Sequence, residues 1–106
     1  MKKLRNMSTD LKKIYGAYLQ TVILYGSYAR GEQTDESDID IAIVLKKGNT
    51  ESMHDSMIDT VVDYELDIAK TLSIVPIDYE NYQEWRKVLP FYKNIDKEGI
   101  IIWKAA

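Results

Sequence analysis

Apolar residues along this chain keep two different periods, and each period marks a kind of element. Over residues 8–20, Leu11, Ile14, Tyr15, Tyr18 and Leu19 recur at helical spacing, with Lys12 and Lys13 on the wet side. Ser8 or Thr9 is placed to cap that helix, and Gly16 weakens it slightly while allowing close packing on a sheet. Residues 21–25 form the short unbroken apolar run of a buried strand. A second strand is expected over 38–46, where Ile39 to Leu45 is almost continuously apolar beyond its acidic start. Such a strand has both faces covered and belongs in the middle of a sheet.

Lys46, Lys47, Gly48 and Asn49 then predict a turn. The helical period returns over 51–69, with Met57, Ile58, Val61, Val62 and Ile68 as the inner stripe. Residues 71–77 read as a third strand, which Pro76 places near an edge. A short helix over 78–87 carries Tyr79, Tyr82 and Trp85; Pro90, Phe91 and Tyr92 break to a loop, and 99–103 form a last short strand. The pattern is that of an α/β (α+β) chain, a small sheet flanked by helices, in one domain over 1–106.

Composition changes this picture little: 45% hydrophobic and 29% charged residues are ordinary for a folded domain. A net charge of −3 argues against a surface that grips nucleic acid non-specifically. The chain has no cysteine, hence no disulfide and no thiolate metal site. Its basic start, Met1 to Met7, is not followed by the apolar segment of a secretory signal, and no run has the length of a membrane span. A cytoplasmic location is expected.

The chemistry gathers between the first two strands. Gly26-Ser27-Tyr28-Ala29-Arg30-Gly31 follows the first, and Ser37-Asp38-Ile39-Asp40-Ile41 opens the second. Gly26 permits a sharp bend and close approach of backbone to a ligand, while the Ser27 hydroxyl and the following amides suit phosphate oxygens. Asp38 and Asp40, two apart on a strand, would project from one face, where their mutual repulsion calls for a cation. All-oxygen ligation beside a nucleotide phosphate favours Mg²⁺. Arg30 suits either a phosphate or an acidic neighbour such as Glu32 or Asp35, and Ser37 is placed to orient the Asp38 region.

This string, Gly-Ser, ten residues, then Asp-x-Asp, resembles the minimal nucleotidyltransferases of the DNA polymerase β-like superfamily. GSYARG followed by SDIDI is especially similar to the MntA-type antitoxins that pair with HEPN-domain toxins. The resemblance implies a nucleotidyltransferase fold with a mixed sheet, and Asp38 and Asp40 as catalytic metal ligands. It implies Gly26, Ser27, Arg30 and Ser37 on the nucleotide, with ATP as substrate and one or two Mg²⁺ ions. It also implies a HEPN toxin as partner, one tyrosine of which receives AMP and is silenced. Self-association is left open, and so is the nucleotide preference.

One departure concerns a third acid, which many superfamily members carry on the next strand. Ser73 falls at that place, with Asp67 before the strand and Asp78 at its far end. Its loss keeps a binding-only antitoxin in view as an alternative, beside a transferase acting on small molecules. The ridge of Asp55, Asp59, Asp63 and Asp67 is a solvated helix face or a dock for a basic partner. His54 has no companion ligand, and the aromatic cluster at 79–92 reads as core or interface.

Overall fold

The computed structural model describes residues 1–47 and 49–106; Gly48, in the expected turn at 46–49, lies outside the described residues. The strands β1 (Leu19–Tyr25), β2 (Ile39–Leu45), β3 (Leu72–Asp78) and β4 (Ile100–Lys104) make one sheet in the order β3-β2-β1-β4. β1 is antiparallel to both β2 and β4, whereas β2 and β3 run parallel, so the sheet is mixed. β2 is thus central, and Ile39 and its residues from Ile41 to Leu45 are all buried. Pro76 sits on the edge strand β3, where a missing amide hydrogen breaks no ladder.

Helix α1 (Lys2–Tyr15) and helix α3 (Glu51–Ile68) cover one sheet face. Met7, Leu11, Tyr15, Met57 and Val61 pack there on Val22, Leu24, Ile39, Ile41 and Ile43. Helices α4 (Tyr79–Trp85) and α5 (Pro90–Glu98) cover the other, where Tyr82 and Ile95 meet Ile23, Ala42, Val44 and Ile77. The single-turn helix α2 (Ser27–Arg30) follows β1 directly. Among the described residues no helix is long and apolar enough to cross a membrane.

Several boundaries differ from the sequence reading for identifiable reasons. The first helix begins at Lys2, not near residue 8. Neither Ser8 nor Thr9 caps it; their hydroxyls donate to the carbonyls of Leu4 (2.9 Å) and Arg5 (3.2 Å) inside the helix. Gly16 ends the helix at φ 59 rather than sitting within it, and Leu19 already belongs to β1. Pro90 starts a helix instead of a loop, because at the first helical position its missing N–H would be unpaired anyway. On α3, Met57 and Val61 face inward, but Ile58 and Val62 are each 43% exposed, about a third of a turn further round.

α1 and α3 are also joined by a polar contact: Tyr64 Oη donates to Asp10 Oδ2 at 2.6 Å. Burial, then this bond to a charged acceptor, pushes the Tyr64 phenol up to about 12 from 10.0. A raised folded-state value means that the contribution is complete below the unfolded value and is lost as pH rises toward the folded one. Tyr64→Phe should therefore lower unfolding stability by about 1 kcal/mol at neutral pH. Chemical denaturation across an alkaline series should show the deficit shrinking between pH 10 and 12, the window set by the two values.

Candidate functional site

The Gly-Ser bend and the acidic pair come together where β1 ends and β2 begins. Tyr25 and Asp40 are cross-strand partners, so the bend after Tyr25 lies directly beside Asp40. Gly26 adopts φ 73 and ψ −155, a region essentially reserved for glycine. A Cβ built there would collide with Asp40 Oδ2 and stand 3.1 Å from its Cγ. The absence of a side chain at 26 is what gives the carboxylate its seat against the bend.

Ser27 opens α2, whose first amides have no acceptor within the helix. Gly26 O accepts from the Ala29 and Arg30 amides at 3.1 and 3.2 Å, so the Ser27 and Tyr28 N–H groups precede the first bonds of the turn. Tyr28 and Ala29 pack on the core beneath, fixing the turn to the sheet. Gly31 closes α2 in the left-handed conformation, with open space around it.

Asp38 precedes β2 rather than lying in it and is exposed, whereas Asp40 is half-buried on the strand. Alternation along β2 turns Asp40 to the same face as Ala42 and Val44, the side covered by α4 and α5. Burial, and next the charge of Asp38, raise the Asp40 carboxyl above its ordinary value, while Arg30 pulls it down. The Tyr25 phenol is likewise raised, by burial and then by Asp40. Two close acids, one poorly solvated, beside a cradle that a Cβ would fill, fit a hard divalent cation bound through oxygen.

Arg30 answers one open choice from the sequence: its Nε donates to Glu32 Oε1 at 2.6 Å and its Nη1 to Glu98 Oε2 at 3.3 Å. Asp35 is not its partner; the Asp35 carbonyl accepts from Lys70 Nζ instead. Ser37 Oγ accepts from the Thr34 amide at 2.9 Å and so shapes the loop that delivers Asp38. His54 Nδ1 lies 3.3 Å from the Asn49 amide nitrogen. The third-acid position is also resolved. Ser73 stands opposite Asp40 in the parallel ladder, while Asp67 pairs with Lys3 at 2.7 Å and Asp78 caps α4 beside Leu45.

Sequence reasoning missed the far wall of this site. Tyr25, Gly26, Arg30, Phe91, Asn94 and Glu98 line one cavity of about 200 Å³. Tyr25 was accessible in principle, since alternation puts it on the face of Ile23. Phe91 was not, because its contact with Tyr25 joins opposite ends of the chain.

Gly26→Ala and Gly31→Ala separate backbone strain from the Asp40 seat. Gly31→Ala should cost about 1–2 kcal/mol, the penalty of a left-handed non-glycine residue, and leave the site intact. Gly26→Ala should cost more and displace Asp40. Urea titrations giving equal losses would contradict the seat.

Residues 6–106 match the family model described as polymerase beta, nucleotidyltransferase. The chain is 30% identical over 109 residues to the "Putative protein adenylyltransferase MJ0604" of Methanocaldococcus jannaschii, covering 96% of each. It superposes with a TM-score of 0.58 on a chain of a toxin–antitoxin crystal structure with AMP-PNP, at 18% identity, covering 95% of this chain and 73% of that one. A chain of the tri-AMPylated Shewanella oneidensis HEPN toxin in complex with MNT antitoxin gives 0.52 at 18% identity, covering 99% and 74%. Those two likenesses bear on the fold; the family match spans nearly the whole sequence and includes both the bend and the acids. The chain belongs to the polymerase beta nucleotidyltransferase family.

Proposed function

We propose that this chain transfers AMP from ATP to a tyrosine hydroxyl of a HEPN-type toxin and thereby acts as its antitoxin. The observation that carries the proposal is the seating of the Asp40 carboxylate against Gly26. A triphosphate held by the Gly26–Ser27 bend would lie beside the same acids that hold a cation. The relative named "Putative protein adenylyltransferase MJ0604" and the AMPylated HEPN toxin complex support a protein acceptor.

In the proposed reaction Asp38 and Asp40 would hold Mg²⁺, and Gly26, Ser27 and neighbouring amides would fix the triphosphate. When bound, the ion supplies Lewis-acid polarisation of the α-phosphate and neutralises charge on the leaving group. The acceptor oxygen bonds to the α-phosphorus, the bond to the β-bridging oxygen breaks, and pyrophosphate leaves with the electron pair. Ser73 has no charge with which to take the acceptor's proton, so that proton passes to solvent at the exposed Asp38 rim. Ser37 keeps Asp38 in reach, and Arg30, tethered to two glutamates, would have to release one of them to meet a phosphate. The partner protein must position its own hydroxyl, an effect worth several kcal/mol when the geometry is right.

A second reading, an antitoxin that neutralises by binding alone, draws on Ser73 and on the exposed Ile58, Val62 and Leu66 of α3. One experiment divides the two. With ATP labelled on the α-phosphate, Mg²⁺ and the purified HEPN partner, the wild-type chain should label the partner, and chelation should stop it. Asp38→Asn and Asp40→Asn should each reduce labelling about a hundredfold or more, the metal being worth several kcal/mol. Melting temperatures should hold or rise in both, since a repulsion has been removed. Undiminished labelling in either variant contradicts the metal assignment. Full neutralisation without labelling supports binding alone.

A further inference from the structure

Helix α5 presents Phe91, Asn94 and Glu98 at i, i+3 and i+7, which places all three on one stripe. That stripe forms the far wall of the cavity of about 200 Å³ whose near wall is Tyr25, Gly26 and Arg30. Gly26 belongs both to this cavity and to the proposed triphosphate bend, so one nucleotide can reach from the bend into the cavity. The two ends of that cavity differ in chemistry, and the difference points to a ligand.

At the aromatic end, the Phe91 and Tyr25 rings meet at 5.7 Å and 88°, an edge-to-face pair. The pair fixes the Phe91 ring, yet Phe91 remains 44% exposed. A held ring with an open surface is a stacking platform, which any planar base can use. At the polar end stands the Asn94 amide, which offers one donor and one acceptor side by side. That pairing matches the donor–acceptor edge of adenine. Glu98 is tied to Arg30 at 3.3 Å and closes the wall beside it.

We infer that the cavity between α5 and the Gly26 bend is a purine pocket in which Phe91 stacks the base and Asn94 reads its edge. The inference rests on the proposed triphosphate site and adds to it the source of nucleotide selectivity. It gives the C-terminal helix a role that neither the Gly-Ser bend nor the acidic pair fulfils.

Isothermal titration of the intact chain in Mg²⁺ tests the pocket without reference to activity, using ATP, CTP and inorganic tripolyphosphate as probes. The wild type should bind ATP about tenfold more tightly than tripolyphosphate, the increment expected of one stacked base. Phe91→Ala should abolish that increment and leave tripolyphosphate binding as it was. Asn94→Ala should narrow the preference for ATP over CTP while retaining the stacking gain. Phe91→Leu keeps apolar bulk without an aromatic face, so it should behave as the alanine variant does and guards against a folding artefact. An ATP increment that persists in Phe91→Ala and Phe91→Leu would overturn the pocket. Equal wild-type affinity for ATP and tripolyphosphate would overturn it while the triphosphate site stood. Binding of neither would remove both.

Discussion

The carboxylate of Asp40 rests where a side chain at position 26 would have to be. That contact depends on a backbone conformation which glycine alone adopts readily, placed one residue after the cross-strand partner of Asp40. The antiparallel β1–β2 pairing therefore sets the register of the site as well as of the sheet. Shift the ladder by one residue and Asp40 would turn to the other face, into the apolar packing of α1 and α3. The buried run from Ile41 to Leu45 prevents such a shift, because each of its residues is already fitted to a covered face.

The same seat concentrates charge. Asp40 is half-buried beside Asp38, and Arg30, the cation acting on it, is shared with Glu32 and Glu98. Protein groups alone leave this cluster short of positive charge, and burial, with the charge of Asp38 added to it, raises the Asp40 carboxyl. A divalent cation would relieve that shortage. The neutral Ser73 opposite Asp40 makes the site leaner by one acid than a three-carboxylate arrangement. In the proposed reaction that leanness shifts the work of presenting the acceptor onto the partner protein. It also gives weight to α5, which closes the cavity on the other side of the bend.

Much of this was legible in the sequence wherever local chemistry decides the outcome. The apolar runs gave β1 and β2, and Asp40 fell at the start of the central strand, with Asp38 just before it. What stayed hidden depended on partners distant along the chain or on polar groups with two possible uses. Ser8 looks like a cap but bonds backward within α1, so the true start of the helix was obscured. Pro90 looks like a break but begins α5. Ile58 and Val62 look like core, yet the angular position of Met57 and Val61 decides which side of α3 is covered. Phe91 carries no local sign that it will meet Tyr25; only the fold of α5 onto β1 brings them together.

A crystal structure of the chain with Mg²⁺ and a non-hydrolysable ATP analogue tests the shared pocket most directly. An ion coordinated by Asp38 and Asp40 at about 2.0–2.1 Å, shared with phosphate oxygens that lie over Gly26 and Ser27, is the expected result. A triphosphate bound away from that bend, or an ion that touches neither acid, would contradict it.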